Sequence, residues 1–231
     1  MLELNRAYNI DCMKGMAQFP DNFFDLAVVD PPYGINAHDM SMGSNTSRKE
    51  NGYPAISTAD RLKKSFDKRD WDWDCERPEP AYFSELIRVS KNQIIWGYNY
   101  FSDMLPPCRG VIVWDKVQPW KNFSQVEIAY TSFDRAATLF RYSNTGGNNA
   151  ERKIHPTQKP IPLYAWIYSS YAKCGDKILD THLGSGSSRI AAWESELKLQ
   201  FIGFEIDREY YDLEEKRFQQ VSSQMNLFHM T

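Results

Sequence analysis

The apolar run Leu26-Ala27-Val28-Val29 ends on Asp30, and Asp30 is followed at once by Pro31 and Pro32. Neither proline can donate to a sheet ladder, so a strand over 26–30 must stop there. Asp30 then sits at a strand's carboxyl end, where open α/β sheets bind their ligands. Tyr33 completes a stretch that offers a carboxylate, a stiff backbone carbonyl and an aromatic ring side by side.

The rest of the chain repeats the alternation of short β-rich runs and helical stretches that marks a mostly parallel sheet covered by helices. Strands are predicted at 7–10, 26–30, 93–96, 111–114, 126–132, 137–142, 177–180 and 200–205, with 137–142 paired to 126–132. Helices are predicted at 11–19, 79–90, 162–172, from Ser187, and at 208–223. In the second of these, Phe83, Leu86, Ile87 and Val89 are expected on the buried side. A length of 231 residues suits one large domain, here read as a single unit carrying loop insertions.

A net charge of -3 argues against a protein that coats nucleic acid by charge alone, although it permits a local basic face. Residues 36–70 form a long polar connection of the kind that is functional or unstructured. It holds Arg48, Lys49, Arg61, Lys63, Lys64, Lys68 and Arg69 against five acidic residues. A second Gly/Asn-rich loop, 144–153, ends on Arg152 and Lys153. Cys12, Cys75, Cys108 and Cys174 have no C-x-x-C spacing and the histidines form no paired ligand pattern, so neither zinc nor a disulfide framework is expected. The chain reads as reduced and intracellular, with no membrane span.

Further motifs carry chemistry. In 177–192 an apolar strand ends in Asp180, followed by a turn containing Gly184 and Gly186 and by small hydroxyl residues, Ser187 first, that open a helix. Glycines there let the backbone approach a ligand. The strand 200–205 ends in Glu205, and an acid about 20 residues beyond such a turn suits the hydroxyls of an adenosine ribose. A third glycine is missing from the turn, which disfavours a pyrophosphate. The segment His155-Pro156-Thr157-Gln158-Lys159-Pro160 presents a hydroxyl, an amide and a cation on a stiff chain that can grip a carboxylate. These features describe a site for an amino-acid-bearing adenosine beside Asp30-Pro31-Pro32-Tyr33.

Together the motifs resemble the S-adenosylmethionine-dependent DNA amino-methyltransferases, which modify adenine N6 or cytosine N4. DPPY at 30–33 is similar to their catalytic tetrapeptide, DTHLGSGSS at 180–188 to their cofactor loop, GFEID at 203–207 to the ribose-acid strand, and HPTQKP at 155–160 to the segment before that loop. The order resembles the permuted β group. The resemblance implies a Rossmann-like, seven-stranded mixed sheet with one reversed strand and helices on both faces. It implies S-adenosylmethionine held by Asp11, His155, Thr157, Lys159, Asp180, His182, Gly184, Gly186, Ser187 and Glu205. Asp11 has a second reading as a helix N-cap. The loop departs from the family's usual Asp-Pro-Phe at Thr181 and His182, where an imidazole can still stack.

The implied activity is transfer of a methyl group to adenine N6 in a base swung out of double-stranded DNA. The catalytic group is Asp30, Pro31, Pro32 and Tyr33, and DNA contacts fall to Arg48, Lys49, Lys63, Lys64, Lys68, Arg69, Arg152 and Lys153. Cytosine N4 methylation and a catalytically weak DNA-binding protein of the same fold are the alternatives. The resemblance also implies a cytoplasmic protein, bacterial or phage-encoded, and admits a homodimer. Pro107-Cys108 matches the nucleophile pair of cytosine-C5 enzymes, but it precedes a predicted strand and no covalent step is expected.

Overall fold

The computed structural model describes residues 2–35, 74–118, 124–143, 153–155 and 157–228. In chain order these form β1 (Arg6–Asn9), α1 (Cys12–Met16), β2 (Leu26–Val29), α2 (Pro80–Val89), β3 (Gln93–Trp96), α3 (Tyr98–Phe101), β4 (Val111–Asp115) and β5 (Val126–Thr131). Then follow β6 (Thr138–Arg141), α4 (Ile161–Tyr171), β7 (Lys177–Asp180), α5 (Ser187–Glu194), β8 (Gln200–Glu205) and α6 (Arg208–Phe228).

The strands build one sheet in the order β1-β8-β7-β2-β3-β5-β4-β6. Only β5 runs against the rest, pairing antiparallel with both β3 and β4, so the single reversed strand is present. The count is eight among the described residues rather than seven. The extra strand is β6, which pairs parallel with β4 and not with β5. Both edges of β5 are already taken by β3 and β4, so the chain must pass β5's neighbour to find a free edge.

Alternation along the central strands divides the interior in two. Leu26 and Val28 face the layer built from Leu163, Ile167 and Tyr168 of α4 and Ala191 and Ala192 of α5. Ala27 and Val29 face the opposite layer, with Met16 of α1, Phe83, Leu86 and Val89 of α2, and Phe101 of α3. Burial on both faces is the condition under which parallel strands are stable. In α2 the buried stripe includes Tyr82, whereas Ile87 is exposed. Phe83, Leu86 and Val89 are buried as expected, and Tyr82 on the same side carries its hydroxyl to the carboxyl end of β7.

Arg88 ties α2 to the end of α1. It pairs with Glu85 and Asp21 at 2.7 Å each and donates to the Phe19 carbonyl at 3.1 Å. Among the described residues no helix is long and apolar enough to cross a membrane, and no cluster of His, Cys, Asp and Glu could hold a metal ion. The loops 36–70 and 144–153, with Arg48, Lys49, Lys63, Lys64, Lys68, Arg69 and Arg152, lie outside the described residues except for Lys153, which is exposed.

Position in the sheet predicts local stability. β7 and β2 have neighbours on both sides and a fully buried interior, while β6 has one neighbour and carries the exposed Leu139. Amide hydrogen exchange is expected to be slowest in β7 and β2 and fastest in β6. Equal protection of β6 and β7 would contradict this topology.

Candidate active site

The strand register sets the heights of the acidic residues at the carboxyl rim. Leu26 lies opposite Ile178 and Ala27 opposite Leu179, so Asp180 is level with Val28. On the other side Asp180 is level with Gly203. Asp30 and Glu205 each stand two residues beyond these partners and flank the lower-lying Asp180. Neighbouring strands are about 4.8 Å apart, so the two flanking acids bracket a trough roughly 10 Å wide. Asn9 is level with Glu205, which puts Asp11 at the far side beyond β8.

On the β2 side, the Tyr33 hydroxyl donates to Asp30 Oδ1 at 2.7 Å, and the Lys159 ammonium donates to Asp30 Oδ2. The Tyr33 ring stacks on Tyr100 with centroids 5.0 Å apart and meets Phe101 edge-on. Asp74 accepts from the backbone N–H groups of Tyr33 and Gly34 at 2.7 and 3.1 Å, which fixes the turn after the prolines. Pro31 is buried and Pro32 half-buried. Gly97, at φ +80°, lies directly against the ring, and a Cβ there would stand 2.7 Å from Tyr33 Cδ1.

On the β7 side, Asp180 is 2% exposed. Its oxygens accept from the His182 N–H at 3.1 Å and the Ser188 hydroxyl at 2.5 Å. Burial outweighs these bonds and pushes the carboxyl up to about 7. The turn that follows uses positive φ at Gly184 and Gly186. Glu205 accepts the Gly184 N–H at 2.8 Å through Oε2 and the Asp207 N–H at 2.9 Å through Oε1, which ties the glycine turn to the end of β8. Burial raises this carboxyl as well.

Tyr82 joins the halves. Its hydroxyl lies 2.6 Å from Thr181 Oγ1, which is in turn 3.0 Å from His182 Nδ1, and its ring meets the imidazole edge-on at 5.3 Å. Burial holds His182 down to about 4, so the imidazole is neutral at physiological pH. The same burial pushes the Tyr82 phenol up, with the Asp180 and Asp30 carboxylates adding to the effect. Thr181 and His182 thus form a hydrogen-bonded, uncharged wall.

Not every residue singled out in the sequence faces this trough. The Asp11 side chain accepts the Lys14 N–H at 3.0 Å as the N-cap of α1. His155 lies over Tyr210, with centroids 4.4 Å apart, and is the side chain nearest Gly184. Thr157 is exposed, with its hydroxyl 3.1 Å from His155 Nδ1. Ser187 is buried, and its hydroxyl is 3.2 Å from that of Ser185 and receives Arg217 at 3.1 Å, which directs it toward α6. Lys159, expected with the cofactor residues, has its ammonium on Asp30 and 3.1 Å from Glu127. Sequence reasoning missed Glu127, Lys116, Asp74 and Tyr82. A lone acid in the otherwise apolar strand 126–131 was the one available signal for Glu127.

A model of the DNA methylase family, of the N6/N4 type, matches residues 93–216, more than half of the chain. The chain belongs to the N6/N4 DNA methylase family. It is 24% identical to the type II methyltransferase M2.MboI of Moraxella bovis, over 93% of this chain and 88% of that protein. It is 25% identical to the type II methyltransferase M.BglII of Bacillus subtilis, over 91% of this chain and 68% of that one. Among solved structures, the M1.HpyAVI–SAM complex aligns with a TM-score of 0.55 and 19% identity, covering 92% of this chain and 98% of that one. The cytosine-N4-specific PvuII DNA methyltransferase aligns at 0.59 and 13% identity, covering 96% and 91%. At these identities the structural matches establish the shared fold.

Two variants test this geometry. Gly97→Ala is expected to lose about 1–3 kcal/mol through the strained φ and the overlap with Tyr33. Near-UV circular dichroism should change with it, and an unchanged melting temperature would mean that the ring does not pack there. For Asp180→Asn the sign follows from the raised pKa. The folded carboxyl binds its proton more tightly than the unfolded one, so its contribution to stability falls as pH rises from the ordinary carboxylate range to about 7 and stays low above it. At pH 8 the variant should therefore melt a few degrees higher than the parent, with the difference vanishing toward pH 4.

Proposed function

We propose that this DNA methylase transfers a methyl group from S-adenosylmethionine to the N6 amine of adenine in double-stranded DNA. The observation that carries the reading is the pairing, across adjacent strands, of Asp30-Pro31-Pro32-Tyr33 with the Asp180–Gly186 turn on one rim. Aspartate at the head of the tetrapeptide favours adenine, because cytosine-N4 enzymes more often carry serine there.

The donor set suits that cofactor. Glu205 retains acceptor capacity for ribose hydroxyls, since its two oxygens offer about four lone-pair sites and not all are taken by the backbone N–H groups that hold it. The glycine turn lets its backbone come close to a ligand, and His155 and Thr157 stand beside it. Asp180, at the floor of the trough, is the anion best placed for a cationic amino-acid group. When bound, the cofactor supplies an electrophilic methyl on a positively charged sulfur. His182 and Asp11 border the same end, the former as a neutral hydrogen-bonding ring.

The target amine is a weak nucleophile because its lone pair is delocalised into the base. Asp30 Oδ1 and Oδ2 each have a lone pair left after Tyr33 and Lys159 are satisfied, and the Pro31 carbonyl is the second acceptor. Accepting both N–H bonds favours a pyramidal nitrogen with its lone pair aimed at the methyl carbon. As the methyl passed from sulfur to that nitrogen, the positive charge gained there would be stabilised by Asp30 and the Pro31 carbonyl. The product then releases a proton to solvent and becomes the neutral methylamine. Tyr33 is the stacking surface for the swung-out base, and Tyr100 behind it keeps the ring upright. DNA phosphates fall to the basic segments 36–70 and 144–153, the first of which follows the tetrapeptide directly in the chain.

Incubation with labelled cofactor and a mixed DNA library, followed by nucleoside analysis, tests the reading. N6-methyladenine is expected from the wild type, and N4-methylcytosine would move the assignment to the other amine. Asp30→Ala should lower kcat by roughly 100-fold or more while DNA affinity stays within about twofold. Full transfer by that variant would remove Asp30 from the mechanism.

A further inference from the structure

A chain of alternating charges runs inward from the catalytic tetrapeptide. Lys159, only 4% exposed, contacts Asp30 on one side and lies 3.1 Å from Glu127 Oε2 on the other. Lys116 holds the remaining oxygen of Glu127 at 2.6 Å. Glu127 stands on the reversed strand β5, opposite Trp114 of β4. It shares a face with Ala129, which belongs to the core layer beneath α4. An acid on that face is costly unless paired, and here it is paired twice. Glu127 Oε2 is buried without an aligned hydrogen bond, because the Lys159 ammonium is turned toward Asp30 and Tyr33. The interaction is a charge contact that holds the lysine in place while its N–H bonds go elsewhere.

We propose that Glu127 is a positioning residue for methyl transfer, which seats the Lys159 ammonium on Asp30 Oδ2 and thereby fixes the carboxylate lone pairs left open to the target amine. This rests on the reading that Asp30 accepts the amine. Tyr33 anchors Oδ1 and Lys159 anchors Oδ2, so the carboxylate cannot rotate and two of its roughly four acceptor directions stay free. Without Glu127, Lys159 answers to Asp30 alone, with the like charge of Lys116 close behind. It is then free to spread across both oxygens and obstruct the amine. The rings of Trp96 and Tyr33, 5.4 and 5.7 Å from the ammonium, confine it laterally but supply no countercharge.

The charged and titratable groups around this chain determine its pH behaviour. Lys159 faces Asp30, Glu127 and Tyr33. Glu127 faces Lys159, Lys116 and Lys153. Asp30 faces Lys159, Glu127, Tyr33, Tyr82, Tyr164 and Asp180. Burial pushes Lys159 down, but Asp30 and Glu127 outweigh it and hold the ammonium above its ordinary range. Glu127→Gln removes one of these two anions. Lys159 should then lose its proton at lower pH, and the alkaline limb of the kcat profile should move down with it.

The test uses the full-length protein with DNA and S-adenosylmethionine. Glu127→Gln is expected to lower kcat by roughly tenfold, with both KM values within about twofold. Its alkaline limb should fall by roughly one pH unit. Glu127→Asp should recover part of both effects. In a Lys159→Gln background the Glu127→Gln change should cost nothing further, since it acts through the missing lysine. Melting curves and cofactor calorimetry show whether each variant is folded, and Glu127→Asp carries the test if Glu127→Gln is not. A wild-type kcat and pH profile in Glu127→Gln, or an equal loss in the Lys159→Gln background, overturns the proposal. Asp30→Ala is run alongside. If that variant keeps full activity the underlying reading has failed, whereas an inactive Asp30→Ala with a wild-type Glu127→Gln sinks only the role of Glu127.

Discussion

β7 is held on both sides by parallel neighbours, β2 and β8, and their registers fix where each strand gives out. Because all three run the same way, their carboxyl ends emerge on one rim. Because β7 ends lower, Asp180 becomes the floor between Asp30 and Glu205. No loop could place these acids so closely without the sheet beneath it. The two prolines after Asp30 then prevent β2 from continuing upward, which would pull the carboxylate out of reach of Lys159. The glycine turn after Asp180 is pinned in the same manner, by Glu205 on the next strand over. The Asp30–Tyr33 and Asp180–Gly186 segments, far apart in the chain, are thus brought to one rim by the strand register and held there by side chains such as Glu205 and Asp74.

That alignment gathers negative charge where water is scarce. Burial raises Asp30, Glu205 and Asp180 together, and each nearby carboxylate adds to the effect on Asp180. Among the described residues only one of them is relieved by a cation, Asp30 by Lys159. Asp180 and Glu205 rely on hydroxyl and backbone N–H donors. A site left with unneutralised anions is less stable alone and gains stability when a cationic ligand arrives. The arrangement is therefore suited to a positively charged cofactor, and His182 and Tyr82, both uncharged, add no positive charge of their own to the site.

Much of this was legible from residue order. The strand cut short by two prolines, the glycine turn after Asp180 and the acid ending β8 are local patterns, and local patterns survive folding. All eight described strands, including 137–142, could be read from apolar runs, although the family resemblance implied seven. Neighbour relations were another matter. The partner of β6 depends on which sheet edge is free, and no local signal carries that. In α2 the expected stripe holds at Phe83, Leu86 and Val89 but offers Ile87 where Tyr82 is buried, because a tyrosine's polar tip masks its apolar body in the sequence and its hydroxyl finds a partner in Thr181, almost a hundred residues away. Asp74 lies beyond a long connection, so nothing marked it as the acceptor for the Tyr33 and Gly34 amides. The motif around Lys159 points to a cofactor ligand, and only the packing of α4 against the sheet shows that the ammonium reaches Asp30.

The position of Lys159 bears on what kind of group Asp30 is. An isolated carboxylate in this setting, with its pKa raised by burial, would tend to hold a proton of its own, and a protonated oxygen is a poorer acceptor for the amine. Paired with an ammonium, it keeps its acceptor lone pairs but loses much of its pull on a proton. The proposed reaction needs only the first property, since a methylated nitrogen sheds its proton readily once it carries positive charge. A carboxylate neutralised in part by lysine can orient the amine throughout the reaction without removing its hydrogen. It also binds the neutral product amine no more tightly than the neutral substrate amine, which favours departure of the modified base.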